Sequence, residues 1–150
     1  MTETVLAIPA IQLLNGLQPE ARKRAIAWSN ACVPFINANF PGLTFRITNT
    51  RRTSAEQVAL NTGGLSDLTL GWHNFGLAWD FAIIDASGHY ITDGSHPAYA
   101  ALGNISLQFG CHYPIIMKSG RPDSDHIEFH PGVTLSEIIH VSNIIDELRT

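Results

Sequence analysis

Leu77-Ala78-Trp79-Asp80-Phe81-Ala82-Ile83 alternates large apolar residues with small or polar ones at a period of two. That pattern reads as a strand with one buried face. Trp79 and Phe81 point into a core, and Asp80 points to the opposite face. A carboxylate flanked by large apolar residues needs a partner, because an unpaired buried charge is costly. Just upstream, Gly71-Trp72-His73-Asn74-Phe75-Gly76 offers one within a loop-like stretch over residues 65–76. Fully extended, the seven residues from His73 to Asp80 would separate the two by roughly 23–25 Å. They meet only if the chain reverses, and Asn74 and Gly76 are residue types that allow it.

Outward from this strand the chain alternates helices and strands. Residues 1–18 read as a mixed lead-in with a short helix. From Pro19, the residues Ala21, Ala25, Trp28, Cys32, Phe35 and Ile36 recur at steps of three and four, which marks one face of a helix ending at Pro41-Gly42. Leu43, Phe45 and Ile47 then alternate as a strand. Ser54 and Gln57 resemble a capping box opening a short helix to about Leu60. After Ile83, Ser87-Gly88 predicts a hairpin turn with Tyr90 and Ile91 on the return. Pro97 starts a helix carrying Tyr99, Leu102, Ile105 and Phe109, closed by Gly110. Further strands are expected over 113–117 and 125–129, with a turn at 119–122. Thr134 and Glu137 form a second capping box at the head of a final helix. Hairpin-like connections among the later strands predict an α+β fold with an antiparallel sheet flanked by helices.

The 150 residues fit a single domain, 1–150, with a catalytic core over about 17–148. A hydrophobic content of 45% with 15% charged residues is that of a globular protein, and a net charge of −4 excludes the basic footprint of a nucleic-acid binder. Arg22-Lys23-Arg24 reads as a solvated helix face. Two cysteines, Cys32 and Cys111, are too few for a disulfide framework and are expected to be buried thiols. No apolar run is long enough for membrane insertion. Residues 1–9 lack a basic segment followed by a long apolar run, so synthesis in a cytoplasm without a signal peptide is expected. A monomer is expected.

A second cluster, Asp123-Ser124-Asp125-His126-Ile127-Glu128-Phe129-His130, places His126, Glu128 and His130 on one face of a strand. Two imidazoles and one carboxylate form a common catalytic zinc set whose fourth position stays open for water. By spacing alone, any of the three could complete a site with His73 and Asp80. A His–Asp pair also serves in ordinary hydrogen-bond networks. His89 and His96 read as exposed, and His112 and Cys111 as structural.

The stretch His73-Asn74-Phe75-Gly76-Leu77-Ala78-Trp79-Asp80 resembles the His-x-x-Gly-x-Ala-x-Asp motif of the VanY-type zinc peptidases, which share the hedgehog/DD-peptidase fold. Arg52-Thr53-Ser54-Ala55-Glu56-Gln57 resembles a second segment of that family. Asp123-Ser124-Asp125-His126-Ile127-Glu128-Phe129 resembles its Asp-x-Pro-His-Phe-Glu segment. The three occur in the family's order.

The resemblance implies one Zn2+ ion held by His73, Asp80 and His126. It implies Asp123 as general base and then acid for the leaving amine, and Arg52 holding or polarising the substrate carbonyl. Gln57 is expected in support of the site, and Trp72 beside His73 as a substrate contact lining the cleft. Asp125 stands where the family has proline, so the base could move among Asp123, Asp125 and Glu128. Gly110-Cys111-His112-Tyr113 also departs from the family's usual sequence, which leaves substrate preference open. The subgroup most similar in pattern comprises L-alanyl-D-glutamate endopeptidases of the phage endolysin type, which cut peptidoglycan stem peptides and reach the cell wall after release. The rival readings are a D-Ala-D-Ala carboxypeptidase or dipeptidase on the same fold and a non-catalytic wall-peptide binding module.

Overall fold

The computed structural model describes residues 13–51, 71–132 and 134–140. Helix α1, Pro19–Asn39, starts at a proline whose missing N–H costs nothing at that position. It buries Ala21, Ala25, Trp28, Ser29, Cys32 and Ile36, the face that the periodicity predicts with Ser29 added and Phe35 only half-buried. Pro34 lies inside the helix on its exposed side. Strands β1, Thr44–Asn49, β2, Ala78–Ile84, and the later β5, His126–Glu128, form an antiparallel sheet in the order β1-β2-β5. The expected α+β fold with its antiparallel sheet is therefore the observed one.

The alternation in β2 works as read. Trp79, Phe81 and Ile83 are fully buried, while Asp80 and Ala82 lie on the opposite face. Trp28 of α1 meets this buried face, with ring centroids 5.1 Å from Phe81, 6.0 Å from Trp79 and 5.4 Å from Phe45. Its indole N–H donates to the Leu102 carbonyl at 2.8 Å, which satisfies the one polar atom it takes into the core. Leu102 belongs to helix α2, Pro97–Ile105. The core thus sits between the sheet and these two helices, and the other face of the sheet is left for chemistry.

Several elements are shorter than the sequence predicts, for local reasons. The helix expected from Pro97 to Phe109 ends at Ile105 and continues as a 3-10 turn, Ser106–Phe109, closed by Gly110 at φ 72°. There Ser106 Oγ donates to the Gly103 carbonyl at 2.6 Å, a side-chain bond that competes with the α-helical ladder. The return strand at Tyr90 and Ile91 is only a bridge between Ile84 and Tyr90, because the chain folds into a turn at Asp93, whose carboxylate accepts from Ser95 N at 2.9 Å. Strand β3 is only Ile115–Ile116, with Pro114 before it and unable to donate to a ladder. It pairs with β4, Pro122–Asp123, where the sequence suggests a turn. His96 is half-buried rather than exposed; its Nδ1 accepts from Ala98 N at 3.1 Å and caps α2. Cys32 and Cys111 are buried free thiols, and Thr134 and Glu137 form the expected cap. The short helix at 54–60, the lead-in before residue 13 and the last helix beyond residue 140 lie outside the described residues.

Candidate metal centre

Sheet register accounts for half of the site. Asp80 on β2 is the direct antiparallel partner of His126 on β5, so the two side chains project from the same face as a cross-strand pair. Both bear on that face because Trp79 and Ile127 take the opposite one into the core.

His73 reaches the same point by the predicted reversal, but its stretch is not a loop. Trp72–Phe75 is one 3-10 turn, and Gly76 ends it at φ 68°, ψ 33°. Asn74 Oδ1 accepts from Gly71 N at 2.8 Å, and the Leu77 amide returns to the Trp72 carbonyl at 3.1 Å. Gly76 is required twice over. Its backbone is left-handed, and a Cβ there would stand 2.6 Å from the Gly16 carbonyl oxygen.

Three atoms converge. His73 Nε2 is 3.1 Å from Asp80 Oδ1 and 3.1 Å from His126 Nδ1, and His126 Nδ1 is 3.0 Å from Asp80 Oδ1. Corners of a tetrahedron around zinc at 2.0–2.1 Å stand roughly 3.3 Å apart, so the set needs little adjustment to hold such an ion. The outer partners fit as well. His73 Nδ1 faces the Thr50 carbonyl, which can only accept, so that nitrogen carries the proton and Nε2 turns its lone pair inward. His126 Nε2 is 2.8 Å from Glu128 Oε1, which fixes that ring the same way and leaves Nδ1 as the inward donor.

The charges say the same. Burial by itself would raise Asp80, but hydrogen bonds and charge from His126 and His73 outweigh it and hold the carboxyl well below the ordinary range. Burial would lower His126, but its bonds to Asp80 and Glu128 prevail and push it up to about 10. Glu128 is held below its ordinary value by His126 and His130 against the opposing effect of burial. A nearly buried pocket with two carboxylates demands a positive charge at its centre. A proton on His126 supplies it when no metal is bound.

The carboxylates proposed as base divide sharply. Glu128 is buried, with Oε1 on His126 and Oε2 on His130 Nε2 at 2.7 Å. Each of its oxygens thus already has an imidazole partner. Asp123 and Asp125 instead line a groove of about 740 Å³, together with Thr48, Ala82, Tyr90 and Arg121. His73, Asp80 and His126 do not themselves line the groove, but Ala82 follows Asp80 on the same face of β2 and Asp125 directly precedes His126, so its lining adjoins theirs in the chain. Partial burial, then the charge of Asp80, then a hydrogen bond and charge from Asp123 push Asp125 up to about 7. Asp125 is thus the groove carboxyl whose ionisation is held back, with Asp123 beside it.

Trp72 is 7% exposed, stacks on His130 with ring centroids 4.1 Å apart, and does not line the groove. Tyr90 and Arg121 do line it. Arg52 and Gln57 lie outside the described residues. Sequence reading missed Thr50, His112 and the use of His130. Thr50 acts through its backbone carbonyl, which leaves no residue-type signal. His130 was visible as a face-mate of Glu128, but its partner was not.

The chain matches no protein-family model and no curated protein. Its fold is shared with a solved structure, the L-Ala D-Glu endopeptidase ChiX of Serratia marcescens, at a TM-score of 0.60 and 16% identity, over 85% of this chain and 91% of that one.

Proposed function

We propose that this protein is a zinc-dependent peptidoglycan peptidase of the VanY type that cuts stem peptides at the L-Ala–D-Glu bond, in the manner of an endolysin. The observation that carries the reading is the convergence of His73 Nε2, Asp80 Oδ1 and His126 Nδ1 beside a groove with an aspartate pair at its edge. The fold shared with an L-Ala D-Glu endopeptidase supports the substrate class.

When bound by these three donors, zinc supplies a Lewis acid and lowers the pKa of a water at its open position. The chain's own residues do the rest. The groove binds the extended stem peptide along the face of Ala82 and Thr48. Asp123 takes the proton of the attacking water and returns it to the departing amine, with Asp125, whose own ionisation is held back by burial and by its neighbours, beside it. Arg52 is assigned to the carbonyl oxygen, where positive charge stabilises the developing oxyanion. The two imidazole partners of Glu128 favour Asp123 over it as base. A pure binding module needs no such pair of carboxylates beside a metal.

Digestion of purified peptidoglycan, followed by mass spectrometry with and without chelator, tests this. Chelator-sensitive cleavage between L-Ala and D-Glu is the expected result. Loss of terminal D-Ala would move the activity to a carboxypeptidase. Intact walls of several peptide types after treatment with metal-loaded protein would overturn the peptidase reading.

A further inference from the structure

We propose that His130 is a positioning residue of the metal centre: clamped between Trp72 and His112, it holds Glu128 in the one orientation that makes His126 present Nδ1 to a divalent ion. This rests on the metal reading above and goes beyond its three ligands.

Glu128 is bound at both ends, by His126 Nε2 at 2.8 Å and by His130 Nε2 at 2.7 Å. A carboxylate only accepts, so both imidazoles must donate from Nε2. His130 lies past the end of β5, and the sheet ladder does not fix its side chain. Its ring is instead held in a sandwich, stacked at 4.1 Å and 19° on Trp72 and at 3.8 Å and 21° on His112. Each wall is tied to the site. Trp72 precedes the ligand His73 in the same 3-10 turn. His112 exchanges backbone bonds with Glu128 itself, N to O at 2.7 Å and O from N at 3.3 Å. The clamp therefore joins the segment of one imidazole ligand to the outer partner of the other. Released from His130, Glu128 Oε2 would lack its partner in a buried place, and the carboxylate would rotate away from His126 to find one. His126 would then lose the bond that selects its tautomer, and outer-shell losses of this kind typically weaken metal binding about 10–100-fold.

The His130 side chain is 28% exposed, so replacing it opens no core cavity. His130→Phe keeps a ring in the sandwich but removes the donor. His130→Gln removes the ring but keeps a donor within reach of Glu128. Zn2+ affinity of the full chain, measured by competition with a chromogenic chelator, is expected to fall about 10–100-fold in His130→Phe and to recover only in part in His130→Gln, which keeps a donor but loses the stack that aims it. Glu128→Gln is expected to weaken binding as His130→Phe does, and the double variant Glu128→Gln/His130→Phe no more than either alone, because the two act in series. Long-range 15N–1H spectra of the zinc-loaded parent should show His126 protonated at Nε2 and coordinated at Nδ1.

Unchanged zinc affinity in His130→Phe, or a parent His126 coordinated through Nε2, overturns the inference alone. Failure of the parent to bind zinc at all overturns it together with the peptidase reading. Weakened zinc binding in a protein that cleaves no wall peptide leaves the clamp standing and removes only the peptidase.

Discussion

The two acidic regions of the site are built in opposite ways. Asp80 stands mid-strand, opposite His126 in the sheet register, and both imidazoles beside it are pinned by further partners at Thr50 and Glu128. Asp123 and Asp125 stand on a two-residue strand and the turn after it and face a groove. The first region cannot change shape without breaking the sheet. The second is free of that ladder and, under the proposed function, is the one that would carry the proton. A hydrolytic centre needs both qualities, since an ion must be held rigidly while the proton carrier must reach two atoms in turn.

Removing a donor should break the comparison most severely. Asp80→Ala is expected to abolish stoichiometric zinc in elemental analysis and to lower wall digestion by about a thousand-fold or more, since a Lewis acid supplies several kcal/mol and each ~1.4 kcal/mol is tenfold. In the groove, Asp123→Asn should cost about 10²–10⁴-fold in turnover while zinc content stays at the parent level. If Asp125→Asn costs more than Asp123→Asn in the same assay, the two aspartates exchange roles. Gly76→Ala attacks the rigid half from its backbone. A left-handed alanine costs about 1–2 kcal/mol, the Gly16 contact adds to it, and a urea midpoint should show about 3 kcal/mol lost.

Titration separates metal-free from loaded protein. The His126 pKa is raised on folding to about 10, so its contribution to stability is complete below its ordinary value near 6.5 and is lost as pH rises through about 10. In chelator, thermal stability should therefore fall from pH 7 to pH 9. Zinc must displace that proton, so its affinity should rise over the same interval, by up to about tenfold per pH unit. Parallel rather than opposed trends would remove His126 as the proton holder. The smallest effect is expected at the groove wall, where Tyr90→Ala should raise KM a few-fold in peptide hydrolysis and leave kcat near the parent value.

The features legible in the sequence are those decided by short-range pattern. One helical face from Ala21 to Ile36 and one strand alternation from Leu77 to Ile83 depend only on neighbours three, four or two residues away. The reversal at Asn74 and Gly76 was equally readable, because few residue types tolerate it. Convergence of His73, Asp80 and His126 was not dictated by spacing. It comes from the pairing of β2 with β5, and only the family resemblance pointed to His126 over Glu128 or His130. Glu128 shows why. Alternation put it on the right face, but its two imidazole partners, one of them past the end of the strand, decide that it supports a ligand rather than moving a proton.

The Asp80–His126 pair also bears on when, under the proposed function, the protein would acquire its metal. The two residues are 46 apart in sequence, with α2 and the β3–β4 hairpin between them. Closing so long a loop is among the slower events of folding. The donors are assembled only once β5 has docked on β2, so an ion has no complete nest in the early chain to gather around. Zinc should accordingly leave the refolding rate of this protein nearly unchanged and slow its unfolding, which makes the ion a lock on a finished fold and not its template.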